Sequence, residues 1–424
     1  TVIPICLSRN PIYDYYMISS VPENQLENPK PSFTAQRISS IDILRAITMV
    51  FMIFVNDFWS LTDIPEGLKH VKRGVDGIGF SDVIFPAFLF IVGLSLPYAI
   101  DNRIKKGDST AGIVQHILFR TVALLVMGVF LVNGETVNAA AMGIPAWLWY
   151  PLSCFCFILI WNTYSSKVNK ALENILKISG IITLIILAYY YRGGENGDVL
   201  FASQWWGILG LIGWAYLAGA LVTLFSRNNF YALLSAWIFF CVLSMVNKAG
   251  LIPGSISAYI PGAILGGALP ALTMGGVLTS YVFRHYVKIN ERWRLTLIFL
   301  ISSSVLIGLS IITRPYWGLA KLGATPSWLF LCSAFTLMAF TLIYWVADVW
   351  KKSKWFDIIK PAGTDTLLCY LIPYFAYAIV RITGLKLPDL LLTGGLGLLK
   401  SFCFALLCVL ITRSLNRIGL KLKI

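Results

Sequence analysis

Asn56 and Asp57 close the first long apolar run of this 424-residue chain, His70 stands in the loop that follows, and Asp82 opens the next apolar run. An imidazole works near neutral pH as a general base or as a nucleophile, and a neighbouring carboxylate can fix its tautomer. Asp57, Asp76 and Asp82 are the available partners for His70. Together they predict proton-transfer or group-transfer chemistry at one mouth of the protein. The plain alternative is a solvated loop histidine, with Asp82 serving only to cap a helix.

A second polar layer lies further back. Asp42 and Arg45 are three residues apart, so a helix puts them on one face. Asn56 follows Arg45 by eleven residues, about 17 Å of helical rise. Arg120 sits four residues after His116 near the same end of its own run. It either snorkels to lipid phosphate or binds an anionic ligand, and Asp42 can also cap the first helix. His285 lies among basic residues and reads as surface.

The elements that hold these groups follow from composition. The chain is 57% hydrophobic and only 13% charged, with a mean hydropathy of +0.75. That is about half the charge of a soluble domain. A soluble enzyme, a secreted disulfide scaffold and a disordered chain are excluded. The expected fold is an all-α polytopic membrane protein with about 12 transmembrane helices, within a range of 10–12. The apolar runs are 42–61, 80–100, 113–133, 146–161, 175–191, 205–226, 230–247, 261–283, 295–313, 327–347, 364–384 and 393–412. They are continuous and not alternating, which favours helices over a barrel.

Alternate loops carry 21 lysines and arginines against 9 in the intervening ones. This bias predicts both termini on the cytoplasmic side. It also explains the net charge of +14 without a nucleic-acid partner. Residues 1–36 are polar and aperiodic and read as a disordered tail; since Met17 opens a plausible start, 1–16 are expected not to be native. Residues 37–424 read as a single transmembrane domain.

Seven of the eight cysteines lie in apolar runs and read as small buried hydrophobes, with no metal site expected. Gly262 and Gly266, and Gly207, Gly210 and Gly213, read as close helix contacts. Trp147, Trp149, Trp205, Trp206, Trp317 and Trp328 read as an aromatic belt, or more sharply as sugar-stacking surfaces.

The run Arg37-x-x-Ser40-x-Asp42-x-x-Arg45-Ala46, then Phe54-Val55-Asn56, then His70, then Ser81-Asp82-Val83-Ile84-Phe85-Pro86 resembles the heparan-α-glucosaminide N-acetyltransferase family. The resemblance includes its bacterial members of unassigned function. The Lys321 loop, Leu319 to Trp328, and the segment Gly363 to Tyr370 extend the resemblance downstream. The resemblance implies a membrane enzyme that moves acetyl from cytosolic acetyl-CoA to an amino sugar or glycan across the bilayer, the acceptor not being confined to heparan.

It further implies His70 as the active histidine and Asn56 as its neighbouring asparagine; by their own placement along the chain, Asp57 and Asp82 are expected beside them. Arg45, Arg120, Asp42 and Lys321 are then expected on the acetyl-CoA side. The location implied is a bacterial cytoplasmic (inner) membrane, with a homodimer as an admissible assembly. Two rival readings are a membrane O-acyltransferase and a transporter or flippase of a sugar or lipid-linked precursor. The transporter reading lacks a half-chain repeat: the 42–82 block has no counterpart near 230–290.

Overall fold

In hydrocarbon an apolar run can satisfy its backbone only within itself, as a helix. The computed structural model describes residues 39–166 and 168–424 and follows that rule. The expected tail, Met17, Arg37 and Lys167 lie outside the described residues. Among the described residues, twelve helices of 16 or more residues follow one another, each overlapping one expected run. They are α1 Ser39–Asn56, α2 Ser81–Lys105, α3 Thr110–Asn133, α4 Ala146–Trp161, α5 Lys170–Tyr190 and α6 Gly207–Phe225. The second half holds α7 Phe230–Lys248, α8 Ala268–Lys288, α9 Arg292–Trp317, α10 Pro326–Tyr344, α11 Thr366–Thr383 and α12 Gly394–Arg417.

Among the described residues, 9 helices are long and apolar enough to cross a membrane. The remaining three are α1, α4 and α8. The 16 residues of α4 are short for a span. Polar side chains sit in α1, with Asp42 and Arg45, and in the last turns of α8, with His285 and Lys288. No strand occurs among the described residues.

The run at 261–283 is not one helix. It breaks at Gly267, whose φ of +70° leaves the helical region and which presses against α7. A Cβ there would stand 2.5 Å from Phe240 O and Ser244 N, so only glycine fits. The Gly262–Gly266 pair is not at a helix contact, since a Cβ on Gly262 meets nothing within 4 Å. The second glycine reading holds: Gly128 of α3 packs directly on the Gly207–Gly210 turn of α6. Likewise Gly93 of α2 and Gly276 of α8 lie against the partner helix backbone.

Six of the described cysteines are buried thiols, whereas Cys403 is exposed. Two of the six belt tryptophans are buried. Trp149 donates its indole N–H to Phe130 O at 2.7 Å, and Trp328 donates to Asp82 O at 3.1 Å. Each indole thus satisfies a backbone carbonyl inside the protein.

Helix α1 is the centre of the bundle. It touches α2, α10, α11 and α12, and the short helix Lys360–Thr364 lies along its first turns. Its two polar ends therefore face protein on several sides. Each opens into a cavity.

Candidate functional site

At the Asn56 end of α1, the loop 61–80 is stapled in place by backbone and side-chain bonds. Thr62 N–H donates to Leu392 O at 2.8 Å, and Gly394 N–H donates to Thr62 O at 3.0 Å. Phe80 N–H donates to Gly67 O at 2.8 Å, and Ser81 Oγ donates to Leu68 O at 2.6 Å. Gly79 lies so close to Lys69 O that any side chain would collide with it. The Asp76 carboxylate accepts from Leu319 N–H at 2.6 Å and from Arg314 Nε at 3.1 Å. These bonds hold the Asp76 carboxyl below the usual carboxylate range, the Leu319 bond most.

The fold brings His70 and Asp82 together. Asp82 Oδ1 lies 2.7 Å from His70 Nδ1, and Oδ2 accepts from Val71 N–H at 3.0 Å and Gly79 N–H at 3.1 Å. An ionised carboxylate only accepts, so Nδ1 carries the proton and Nε2 keeps its lone pair. The Asp82 side chain is 2% exposed and the His70 side chain 46%. The carboxylate is thus dry and fixed, while the imidazole faces open space.

Lys321 Nζ stands 3.2 Å from the same Nδ1. An ammonium cannot accept the Nδ1 proton, so its role there is that of a positive charge beside the pair. Burial holds the Lys321 ammonium below the usual lysine range, and the neighbouring Asp82 charge offsets part of that. Lys321 therefore belongs with His70, remote from the Arg45 end.

Asn56 is exposed and lines, with His70 and Lys321, a small cavity of about 30 Å³. Asp57 turns the other way. Its buried carboxylate takes Lys400 Nζ at 2.6 Å, Ser401 Oγ at 2.6 Å and Tyr377 OH at 2.9 Å. It is fully engaged in tying α1 to α11 and α12, apart from His70. Lys400 was the legible signal for this cluster, being a lone cation inside the last apolar run.

At the other end of α1, Asp42 and Arg45 pair at 3.1 Å, as their spacing predicts. Arg45 also donates to Gly363 O at 3.1 Å and to Ser95. It borders a cavity of about 730 Å³ that Arg103, Arg120 and Lys423 also line. Arg120 Nε is buried without a hydrogen-bond partner, and its guanidinium lies 4.8 Å over the Tyr216 ring. Sequence spacing gave no hint of Ser95, Tyr216 or Lys423, which come from distant parts of the chain.

The cavities share wall residues. Met52 and Ile208 border both the large basic cavity and the small one at His70. Asn56 borders the small cavity and a third of about 570 Å³, and Tyr370 borders the first and the third. The small cavity at Asn56 and His70 thus shares Met52 and Ile208 with a cationic chamber and Asn56 with an aromatic one.

Residues 37–263 match the family described as a domain of unknown function (DUF5009). The chain belongs to the DUF5009 family. The match covers α1 to α7, hence Arg45, Asn56, His70, Asp82 and Arg120. This DUF5009 protein is also 29% identical over 104 residues to mouse (Mus musculus) heparan-alpha-glucosaminide N-acetyltransferase. It is 29% identical over 101 residues to the human (Homo sapiens) protein of the same name. These segments are 24% and 23% of this chain, and they span 14% of the length of each curated relative.

Proposed function

We propose that this protein is a transmembrane acetyltransferase that moves acetyl from acetyl-CoA to the amine of a sugar or glycan on the opposite side of the membrane. The observation that carries this reading is a histidine whose Nδ1 proton is held by a buried aspartate, in a small cavity that shares wall residues with a basic chamber and an aromatic one. The partial similarity to a named N-acetyltransferase supports the same chemistry.

The donor binds in the basic cavity. Coenzyme A is polyanionic, and guanidinium groups are the strongest partners for phosphate. Arg120 has a buried nitrogen with no protein partner, so it is free to take one. The pantetheine arm then runs past Met52 and Ile208 and brings the thioester to Asn56 and His70. The excess of cations in alternate loops supports the Arg45 end facing the cytosol, where acetyl-CoA is made.

Transfer is direct. The amine nitrogen attacks the thioester carbonyl carbon, and His70 Nε2 takes the ammonium proton. Asn56 donates to the oxyanion, and the Lys321 charge stabilises it. The intermediate collapses with loss of the CoA thiolate, which takes from His70 the proton that came from the amine. Asp82 offsets the imidazolium charge throughout. Because the small cavity at Asn56 and His70 shares wall residues with both chambers, donor and acceptor can be present at once, and no acetyl relay is needed.

The test is purified protein with acetyl-CoA and a panel of amino sugars, followed by thiol release and product mass. Acceptor-dependent thiol release with N-acetylated product is expected. Uptake of sugar without thioester loss would replace this reading with transport, and thiol release without any acceptor would replace direct transfer with an acetyl-histidine.

A further inference from the structure

The third cavity has a composition that names its occupant. Trp59, Trp147, Tyr150, Tyr374 and Tyr377 line it. Tyr150 and Tyr374 stack with centroids 5.0 Å apart, and Trp59 meets Tyr377 edge-on at 5.6 Å. Such faces are what the apolar side of a sugar ring packs against. One of them is fixed in advance: the Tyr377 hydroxyl is bonded to Asp57, itself held by Lys400 and Ser401. A side chain held in this way binds without losing rotamer freedom.

The wall holds one cation, Arg381, and no carboxylate. Arg381 follows Tyr377 by four residues on α11, so the two share a face. Tyr374 and Arg381 are seven residues apart, about 10 Å of helix rise. That is room for one sugar ring with a charged substituent. A guanidinium at the end of an aromatic slot selects a planar or tetrahedral anion.

We infer that this cavity is the acceptor site and that it takes an acid-bearing amino sugar. The amine points to Asn56 and His70, and a phosphate or carboxylate meets Arg381. The inference rests on the acetyltransferase reading for the direction of the amine, but binding itself does not depend on turnover. The anion is either the sugar's own or the phosphate of a lipid headgroup.

Intrinsic tryptophan fluorescence of the purified protein in neutral detergent tests this without acetyl-CoA, because Trp59 and Trp147 line the cavity. Glucosamine 6-phosphate and glucosamine are titrated, each with and without added anionic phospholipid. Saturable binding of the phosphate sugar at least about tenfold tighter than glucosamine is expected. Arg381→Gln removes the preference and Arg381→Lys keeps part of it. Equal binding of the two sugars, or a preference that survives Arg381→Gln, overturns the inference. Loss of phosphate-sugar binding on adding anionic phospholipid also overturns it for soluble sugars and assigns Arg381 to a lipid headgroup. Binding as described with no thiol release in the transfer assay would leave this site standing and remove only the acetyl chemistry.

Discussion

The buried Asp82 carboxylate sits 2.7 Å from His70 Nδ1 and, through its other oxygen, also bonds Val71 and Gly79 N–H. One aspartate at the start of α2 thus fixes both the shape of the loop and the tautomer of its histidine. Replacing it by asparagine keeps the size but lets Nδ1 become the acceptor, which puts the proton on Nε2. Asp82→Asn should lower kcat by about 10²-fold to 10⁴-fold, with the acetyl-CoA KM nearly unchanged. A matching thermal stability of the two proteins would locate the loss in the chemistry, whereas near-normal kcat would remove Asp82 from it.

Asn56 is the group shared by the small cavity at His70 and the aromatic chamber. If it donates to the developing oxyanion, Asn56→Ala costs about 10²–10³ in kcat. Asn56→Asp, which offers a negative acceptor in place of a donor, should be at least as damaging. An Asn56→Asp enzyme with wild-type turnover contradicts that role.

Arg120 reads differently from Arg45, which already has Asp42 and Gly363 as partners. Arg120→Gln should raise the acetyl-CoA KM about tenfold to a hundredfold. The acceptor KM should hardly move. The effect should shrink when a truncated thioester lacking the nucleotide phosphates replaces acetyl-CoA; an effect of equal size on both donors would assign Arg120 to packing against Tyr216.

Much of this site is legible in the chain. The Asp42–Arg45 pair follows from a spacing of three, and the apolar runs, apart from the broken one at 261–283, each became one helix because they are continuous. His70 and Asp82 are only twelve residues apart, so local folding suffices to join them. The parts that were not legible depend on distant contacts. Lys321 reaches His70 across 251 residues, and Asp57 is withdrawn from the site by Lys400, Ser401 and Tyr377, more than 300 residues away. The break at Gly267 comes from the α7 backbone, which no local pattern reveals.

Asp76 links the histidine loop to the Lys321 loop through Leu319 and Arg314. Its carboxyl is held below the usual range, so the staple is at full strength above the unfolded-state value and is lost as pH falls through the lower folded value. Hydrogen exchange at the amides of Gly77 and Leu319 should therefore stay protected at neutral pH and lose protection only in strong acid. Asp76→Asn should already show that loss at pH 7. Unchanged protection in Asp76→Asn would mean that the backbone bond from Gly77 N–H to Leu319 O holds the loops together alone.

Acetyl transfer across the membrane has both a chemistry and a sidedness, and one measurement addresses both. Protein is reconstituted in vesicles of uniform orientation, with acetyl-CoA confined to the Arg120 side and an amino sugar to the His70 side. N-acetylated sugar should accumulate on the His70 side, CoA thiol should appear in equal amount on the other, and His70→Ala should abolish both. Product on the acetyl-CoA side, or undiminished transfer by His70→Ala, would contradict the account.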